Sequence, residues 1–308
     1  MFGKAVVADM IDRSAENEND RRRFLRTAGL AGLGVVGATT MGGLDPASAA
    51  TSAPSDSAIL NFALNLEYLE AEFYSYAAFG HGLRDSLTTG KGRRGGVEGG
   101  KKVKFSSRAI RNYAEEIAHD EINHVEFLRG ALGSAKVSRP SIDIKNSFTA
   151  AAQAAGLIGK HDTFDPYANE DSFLLAAFIF EDVGVTAYKG AAPLIDNKTY
   201  LDAAAGILSV EAYHAGIVRT SLYGLGLFDQ ARAISNARDS LDGKGDIDRG
   251  IGTKNVANLV PTDKYGITYS RTPKQVLNVV YLTPKVATKG GFFPHGVNGS
   301  INYSGKNN

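Results

Sequence analysis

The stretch Ile117-Ala118-His119-Asp120-Glu121-Ile122-Asn123-His124-Val125-Glu126-Phe127-Leu128 holds a Glu and a His three residues apart. The same spacing returns at Glu211 and His214 in Ile207-Leu208-Ser209-Val210-Glu211-Ala212-Tyr213-His214-Ala215-Gly216-Ile217-Val218. On a helix, residues three apart lie about 60° round and share a face. Ile110, Ala114, Ile117, Glu121, His124 and Leu128 step by 3 or 4, as do Ile207, Glu211, His214, Val218 and Leu222. Each pair therefore falls within the apolar stripe of its helix. A carboxylate and an imidazole are costly to bury without partners, and a shared cation is such a partner.

Two further helical stretches carry a carboxylate in the stripe. One runs Leu60, Ala63, Glu67, Glu70, Tyr74; the other runs Leu174, Phe178, Glu181, Val185, Tyr188. Each places a Tyr seven residues after a Glu. Chain order is then Glu…Tyr, Glu-x-x-His, Glu…Tyr, Glu-x-x-His, which reads as two copies of one helical hairpin. A lone Glu-x-x-His is more often a surface ion pair or a satisfied core histidine. Two pairs alternating with two Glu…Tyr helices argue against that bland reading.

This arrangement resembles the ferritin-like carboxylate bundle, in which two helices give a Glu each and two give a Glu-x-x-His. The resemblance covers residues 56–228. More narrowly, Asn65-Leu66-Glu67-Tyr68-Leu69-Glu70-Ala71-Glu72-Phe73, Gly290-Gly291-Phe292-Phe293-Pro294 and Gly296-Val297-Asn298-Gly299 look like the desiccation-related ferritin-like family, over most of 56–301. The resemblance implies an all-α fold: a ferritin-like four-helix bundle with a long crossover between its second and third helices, plus a C-terminal extension of short helices and loops. The implied ligands are Glu67, Glu121, His124, Glu181, Glu211 and His214, holding two Fe or two Mn ions, with Glu121 and Glu211 bridging. Oxygen-rich ligation with imidazole suits these metals and disfavours copper. Four ionised carboxylates would balance two divalent ions.

Some assignments stay open at this level. Glu70 shares the stripe of Glu67 and is an alternative or additional ligand, although the Tyr74 spacing favours Glu67. The matching position on the third helix is Gly184, which either opens a face for substrate or permits close packing. Tyr74, Tyr188 and Asp120 are candidates to contact the ligands, although plain core packing is the favoured reading for the two tyrosines. His119, about 140° round from His124, suits the surface or a supporting contact better than ligation. No catalytic residue is assigned beyond the metal site.

The 308 residues carry 34 Lys plus Arg and 33 Asp plus Glu, a net charge of +1, so nothing draws the chain to nucleic acid. There is no Cys, which excludes disulfides, thiolate sites and the four-Cys iron relay of rubrerythrin-type relatives. At the start, Arg21-Arg22-Arg23-Phe24-Leu25 is a twin-arginine pattern, followed by an uncharged stretch with six Gly and by Ala47-Ser48-Ala49, a small-x-small cleavage site. A membrane helix is the rival reading, but the stretch is short and weakly apolar. Residues 1–49 are thus expected to be an export signal, giving a periplasmic or extracellular protein that meets the membrane only during export.

The remaining organisation follows from breakers and caps. Helices are expected at 57–79 with Asp56 as cap, from 106 or 107 to 133, at 170–191 and at 198–224. Residues 50–228 form the bundle, and 134–169 are the crossover with one small helix. Residues 90–96 read as a mobile Gly-rich loop. Residues 229–308 are an extension packed on the bundle, with helices at 229–241 and after Thr272. The stretch 242–248 superficially resembles a calcium loop but lacks the downstream Glu. Three functions are carried forward. One is an oxidoreductase, catalase- or peroxidase-like, consuming hydrogen peroxide or dioxygen. Another is a stress-response protein that binds metal without turnover. The third is a structural envelope protein. A homo-oligomer is compatible with all three.

Overall fold

Side-chain caps start each of the four long helices. Ser55 accepts from the Ala58 amide at 3.3 Å, Ser107 from Ile110 at 3.3 Å, Asn169 from Ser172 at 2.9 Å and Asn197 from Thr199 at 2.9 Å. In the computed structural model, which describes residues 53–306, these helices are α1 (Asp56–Phe79), α2 (Arg108–Leu132), α4 (Glu170–Ala191) and α5 (Lys198–Gly224). The shorter ones are α3 (Asn146–Ala154), α6 (Phe228–Asp242) and α7 (Pro273–Val280). The expected export signal lies outside the described residues. Ser55 is the first cap where Asp56 was expected. Asp56 instead accepts from the Asp196 and Asn197 amides at 2.9 and 3.0 Å, joining the start of α1 to the start of α5.

Contacts fix the helix directions. Tyr74 meets Glu181 while Tyr188 meets Glu67, so α1 and α4 run antiparallel. Asn61 on α1 bonds to Ala135 and Val137 beyond the end of α2, so α1 and α2 are also antiparallel. Hence α2 and α4 are parallel, and the chain between them must cross the length of the bundle. That crossover carries β2 (Ile142–Ile144) and α3. Its strand pairs in parallel with β1 (Val97–Gly99), Val97 opposite Ile142. A second ladder pairs β3 (Gly252–Thr253) with β4 (Val256–Ala257) in antiparallel fashion. The class is all-α, with these short strands as fasteners. No helix among the described residues is long and apolar enough to cross a membrane.

The Gly-rich loop is stitched down instead of mobile. The Lys91 amide donates to Lys136 O at 2.9 Å, the Ser138 amide to Lys91 O at 2.8 Å and the Gly95 amide to Arg139 O at 3.0 Å. A Cβ on Gly95 would lie 2.2 Å from the Ser141 amide nitrogen, so glycine permits this close approach.

Helices α1 and α4 are buried nearly all round; every residue of α4 from Phe173 to Tyr188 is buried. Their outer faces are covered by the crossover and by the chain after 228. The Phe292 ring packs 5.0 Å from Phe148 and 4.8 Å from Phe180. Asn298 donates its amide to Asn65 at 2.9 Å and accepts from the Asn65 side chain at 2.8 Å. Two of the stretches that carry the narrower resemblance, 65–73 and 296–299, are therefore in contact.

Behind α4 a buried ionic network joins bundle and extension. Asp182 accepts from Arg219 at 2.7 Å and from Arg238 at 2.9 Å. Arg238 also reaches Asp248 at 2.6 Å, and Arg271 pairs with both Asp248 and, at 2.7 Å, Asp242. Asp242 and Asp248, from the calcium-loop look-alike, thus face arginines. Arg238 further lies over the Phe178 ring, 4.7 Å from its centroid. Arg238→Ala leaves buried carboxylates short of a cation, and a loss of about 3–5 kcal/mol is expected in denaturant unfolding. An unchanged midpoint would show that the network contributes nothing to stability.

Candidate metal centre

The apolar stripes of four helices meet at one level of the bundle, where their few polar members converge. Ligand atoms of Glu67, Glu121, His124 and Glu211 all lie within 4.8 Å of one another. His124 Nδ1 is 3.2 Å from Glu67 Oε2, 3.5 Å from Glu121 Oε2 and 3.6 Å from Glu211 Oε1. On the other flank, His214 Nδ1 is 3.1 Å from Glu121 Oε1 and 3.8 Å from Glu181 Oε2. Glu121 thus faces both imidazoles, whose ring centroids are 6.4 Å apart. All six residues singled out in the sequence are brought together and buried.

Whether a cation fits can be judged from unsatisfied atoms. Both carboxylate oxygens of Glu121 and of Glu211, Oε2 of Glu181 and Nδ1 of His214 are buried without a hydrogen-bond partner. Nδ1 of His214 lies close to Glu121 but is not aligned with it as a hydrogen bond. Buried polar atoms are nearly always paired, so a cluster of orphans aimed at a common space calls for a partner. Oxygen and imidazole donors in this number fit a divalent metal. On its far side His214 Nε2 meets Asp120 Oδ2 at 3.1 Å, which fixes the ring and leaves Nδ1 for the cluster.

Both tyrosines reach the cluster, each serving the opposite helix. The Tyr74 hydroxyl donates to Glu181 Oε1, and the Tyr188 hydroxyl donates to Glu67 Oε1. The seven-residue Glu…Tyr spacing was the sequence signal; the exchange across helices needed the antiparallel packing. For Gly184, close packing is what the structure supports: a Cβ there would sit 2.3 Å from Glu211 Oε2. Glu70 is buried beside the cluster, outside the four-residue group. His119 is exposed with its ring 5.1 Å from Phe79, and His81 and His161 are exposed as well.

A four-helix bundle with buried Glu and His at its centre defines a ferritin-like protein. Residues 55–224 match the family described as Ferritin-like domain, and the chain belongs to that family. It is 31% identical over 259 residues to the desiccation-related protein PCC13-62 of Craterostigma plantagineum, covering 78% of this chain and 82% of that one. It is 30% identical over 268 residues to the ferritin-like catalase Nec2 of Nesocodon mauritianus, covering 80% of this chain and 85% of the relative. Within the ferritin-like proteins it therefore falls with the desiccation-related ones. No solved structure matches it.

Electrostatics set how this site responds to pH. Burial pushes the Glu67 carboxyl up to about 7, and Glu181 up to about 8, from an ordinary 4.5. Burial and then the surrounding carboxylates push Glu70 and Glu211 well up too. Burial also acts to raise Glu121, but the charge of His124 and contacts with both imidazoles outweigh it and hold that carboxyl low. His214 is held up at about 10: burial acts to lower it, and contacts with Asp120 and Glu121 prevail. In the metal-free protein, groups raised on folding contribute stability that is complete below their unfolded values and lost as pH rises through the folded ones. Glu67 and Glu181 set that window between about 4.5 and about 8. Stability of the metal-free protein in denaturant unfolding is expected to fall steadily from about pH 4.5 to about pH 8. A flat profile there would mean these carboxyls titrate normally.

Proposed function

We propose that Glu67, Glu121, His124, Glu181, Glu211 and His214 hold two divalent ions of iron or manganese, and that the protein disproportionates hydrogen peroxide in stress protection. The observation that carries this reading is the set of six orphaned donor atoms aimed into one buried space. A pair of such ions supplies matched electron changes, so that one peroxide is oxidised to dioxygen while a second is reduced to water. The protein's own part is positional. Tyr188 and Tyr74 orient Glu67 and Glu181, Asp120 orients His214, and the packed helices keep the donors dry. A dismutation needs no external reductant, which suits a chain without cysteine. The relative named as a ferritin-like catalase supports the same chemistry.

A second reading is metal retention without turnover. The enclosure of the donors favours it, since Glu67, Glu121 and Glu211 have no exposed surface, and the other relative is named only as desiccation-related. The wild-type protein is expected to carry two equivalents of iron or manganese, lost in Glu121→Ala/Glu211→Ala. Oxygen release from hydrogen peroxide above free-metal controls separates catalysis from retention. A metal-free wild type with the stability of the double variant would sink both readings.

We also propose export by the twin-arginine route, with a periplasmic or extracellular mature chain starting at residue 50. That route carries folded proteins and suits a site loaded before export. Arg21→Lys/Arg22→Lys should leave uncleaved precursor in the cytoplasm, detected by fractionation; normal export of that variant would refute the assignment.

A further inference from the structure

One wall of the cluster adjoins a cavity that the proposed metal site does not use. The space, of about 20 Å³, lies between α1, α4 and α7. Leu69, Val183, Val280 and Phe292 give it apolar walls, and Glu70 is its one acidic group. That volume holds about one water-sized molecule.

Two features tie this cavity to chemistry. Glu70 is more than nine-tenths buried and makes no hydrogen bond within the protein, whereas Glu67 and Glu181 are each held by a tyrosine. A buried carboxyl left without a partner is costly and calls for a ligand. Gly184 then links the cavity to the cluster. A Cβ at Gly184 would lie 2.3 Å from Glu211 Oε2 and 3.5 Å from Glu70 Oε1, so Gly184 packs closely on Glu211 with Glu70 nearby. The roof comes from outside the matched domain, since α7 and Phe292 follow residue 224. It is fastened by the Phe292 amide, which donates to Val280 O at 2.9 Å.

We infer that this cavity is the entry site for hydrogen peroxide, with Glu70 as its binding residue and α7 as its roof. The inference rests on the peroxide reading above. Apolar walls admit a small neutral molecule and reject ions, because an ion would lose its hydration there without a counter-charge. The carboxyl end then selects among neutral molecules. Hydrogen peroxide offers O–H groups to a carboxyl oxygen; dioxygen offers none. Gly184 lines the cavity on one side and packs against Glu211 on the other, so the bound molecule lies one backbone position away from the cluster.

The test uses the full metal-loaded chain and two variants, Val280→Phe to fill the cavity from the roof and Glu70→Leu to remove the acceptor at similar volume. Both are expected to keep the wild-type metal content and to raise KM for hydrogen peroxide about tenfold, the equivalent of one hydrogen bond, with kcat little changed. Crystals should show one ordered solvent-sized molecule on Glu70 in wild type and none there in Val280→Phe or Glu70→Leu. Unchanged KM in both variants, or no ordered molecule on Glu70 in wild type, would overturn the entry site while leaving the metal reading intact. Metal loss in Glu70→Leu would make Glu70 a ligand and overturn its role here. Absence of peroxide turnover in the metal-loaded wild type would overturn this inference together with the reading it rests on.

Discussion

Five carboxyl groups crowd one dry region of this bundle: Glu67, Glu70, Glu121, Glu181 and Glu211. Burial opposes their ionisation, and each ionised member opposes the next. Only two imidazoles stand among them to offset that charge. Left as it is, the cluster favours carboxyls that keep their protons, which is why burial dominates their shifts. The rest of the architecture serves to hold this unfavourable group together. Antiparallel helices set the four stripes at one level, and the tyrosines lock two carboxyls in place across the helix pair.

The same chain shows what a self-sufficient buried charge cluster looks like. One residue beyond Glu181, Asp182 enters a network in which Arg219, Arg238 and Arg271 meet Asp182, Asp242 and Asp248. There the protein supplies its own counter-ions, and the arginines make further bonds to backbone carbonyls such as Gly250 O and Asn258 O. The network is balanced and knits the extension to the bundle. Among the described residues no lysine or arginine pairs with the donors of the Glu/His cluster, whereas the network's own unpartnered atoms, such as Asp182 Oδ1 and Arg219 Nε, belong to side chains that each hold an ion pair. A chain able to bury matched ion pairs a few ångström away has left this one unmatched. The difference argues that its counter-charge comes from outside the polypeptide.

Much of this was legible in the sequence because the information was local. A Glu and a His three apart, set in an apolar stripe, announce a face without reference to any other segment. The starts of α2, α4 and α5 fall within two residues of those expected, although Asn169 and Asn197 were not foreseen as caps and Ser55 took the capping role expected of Asp56, which bonds to α5 instead. What stayed hidden was long-range. That Tyr74 serves Glu181 and Tyr188 serves Glu67 depends on helix direction. The close-packing role of Gly184 depends on where Glu211 points. The arginine–aspartate network joins residues 182, 219, 238, 242, 248 and 271, with no local pattern to announce it. The Gly-rich loop looked mobile because its partners, residues 136–141, lie far along the chain.

One signal was present in the sequence and is explained only by the fold. Helices α1 and α4 are apolar on nearly every face, as buried helices are. In a bundle of four helices alone, their outer sides would face water. The crossover and the chain beyond 224 take that place, with Phe292 wedged between Phe148 and Phe180 and Asn298 bonded to Asn65. The extension is then part of the core that positions the cluster. Alignments of 259 and 268 residues are longer than 55–224, so the likeness to known proteins extends beyond the matched domain. The apolar outer faces of α1 and α4 require the bundle and the segments that cover it to fold as one unit.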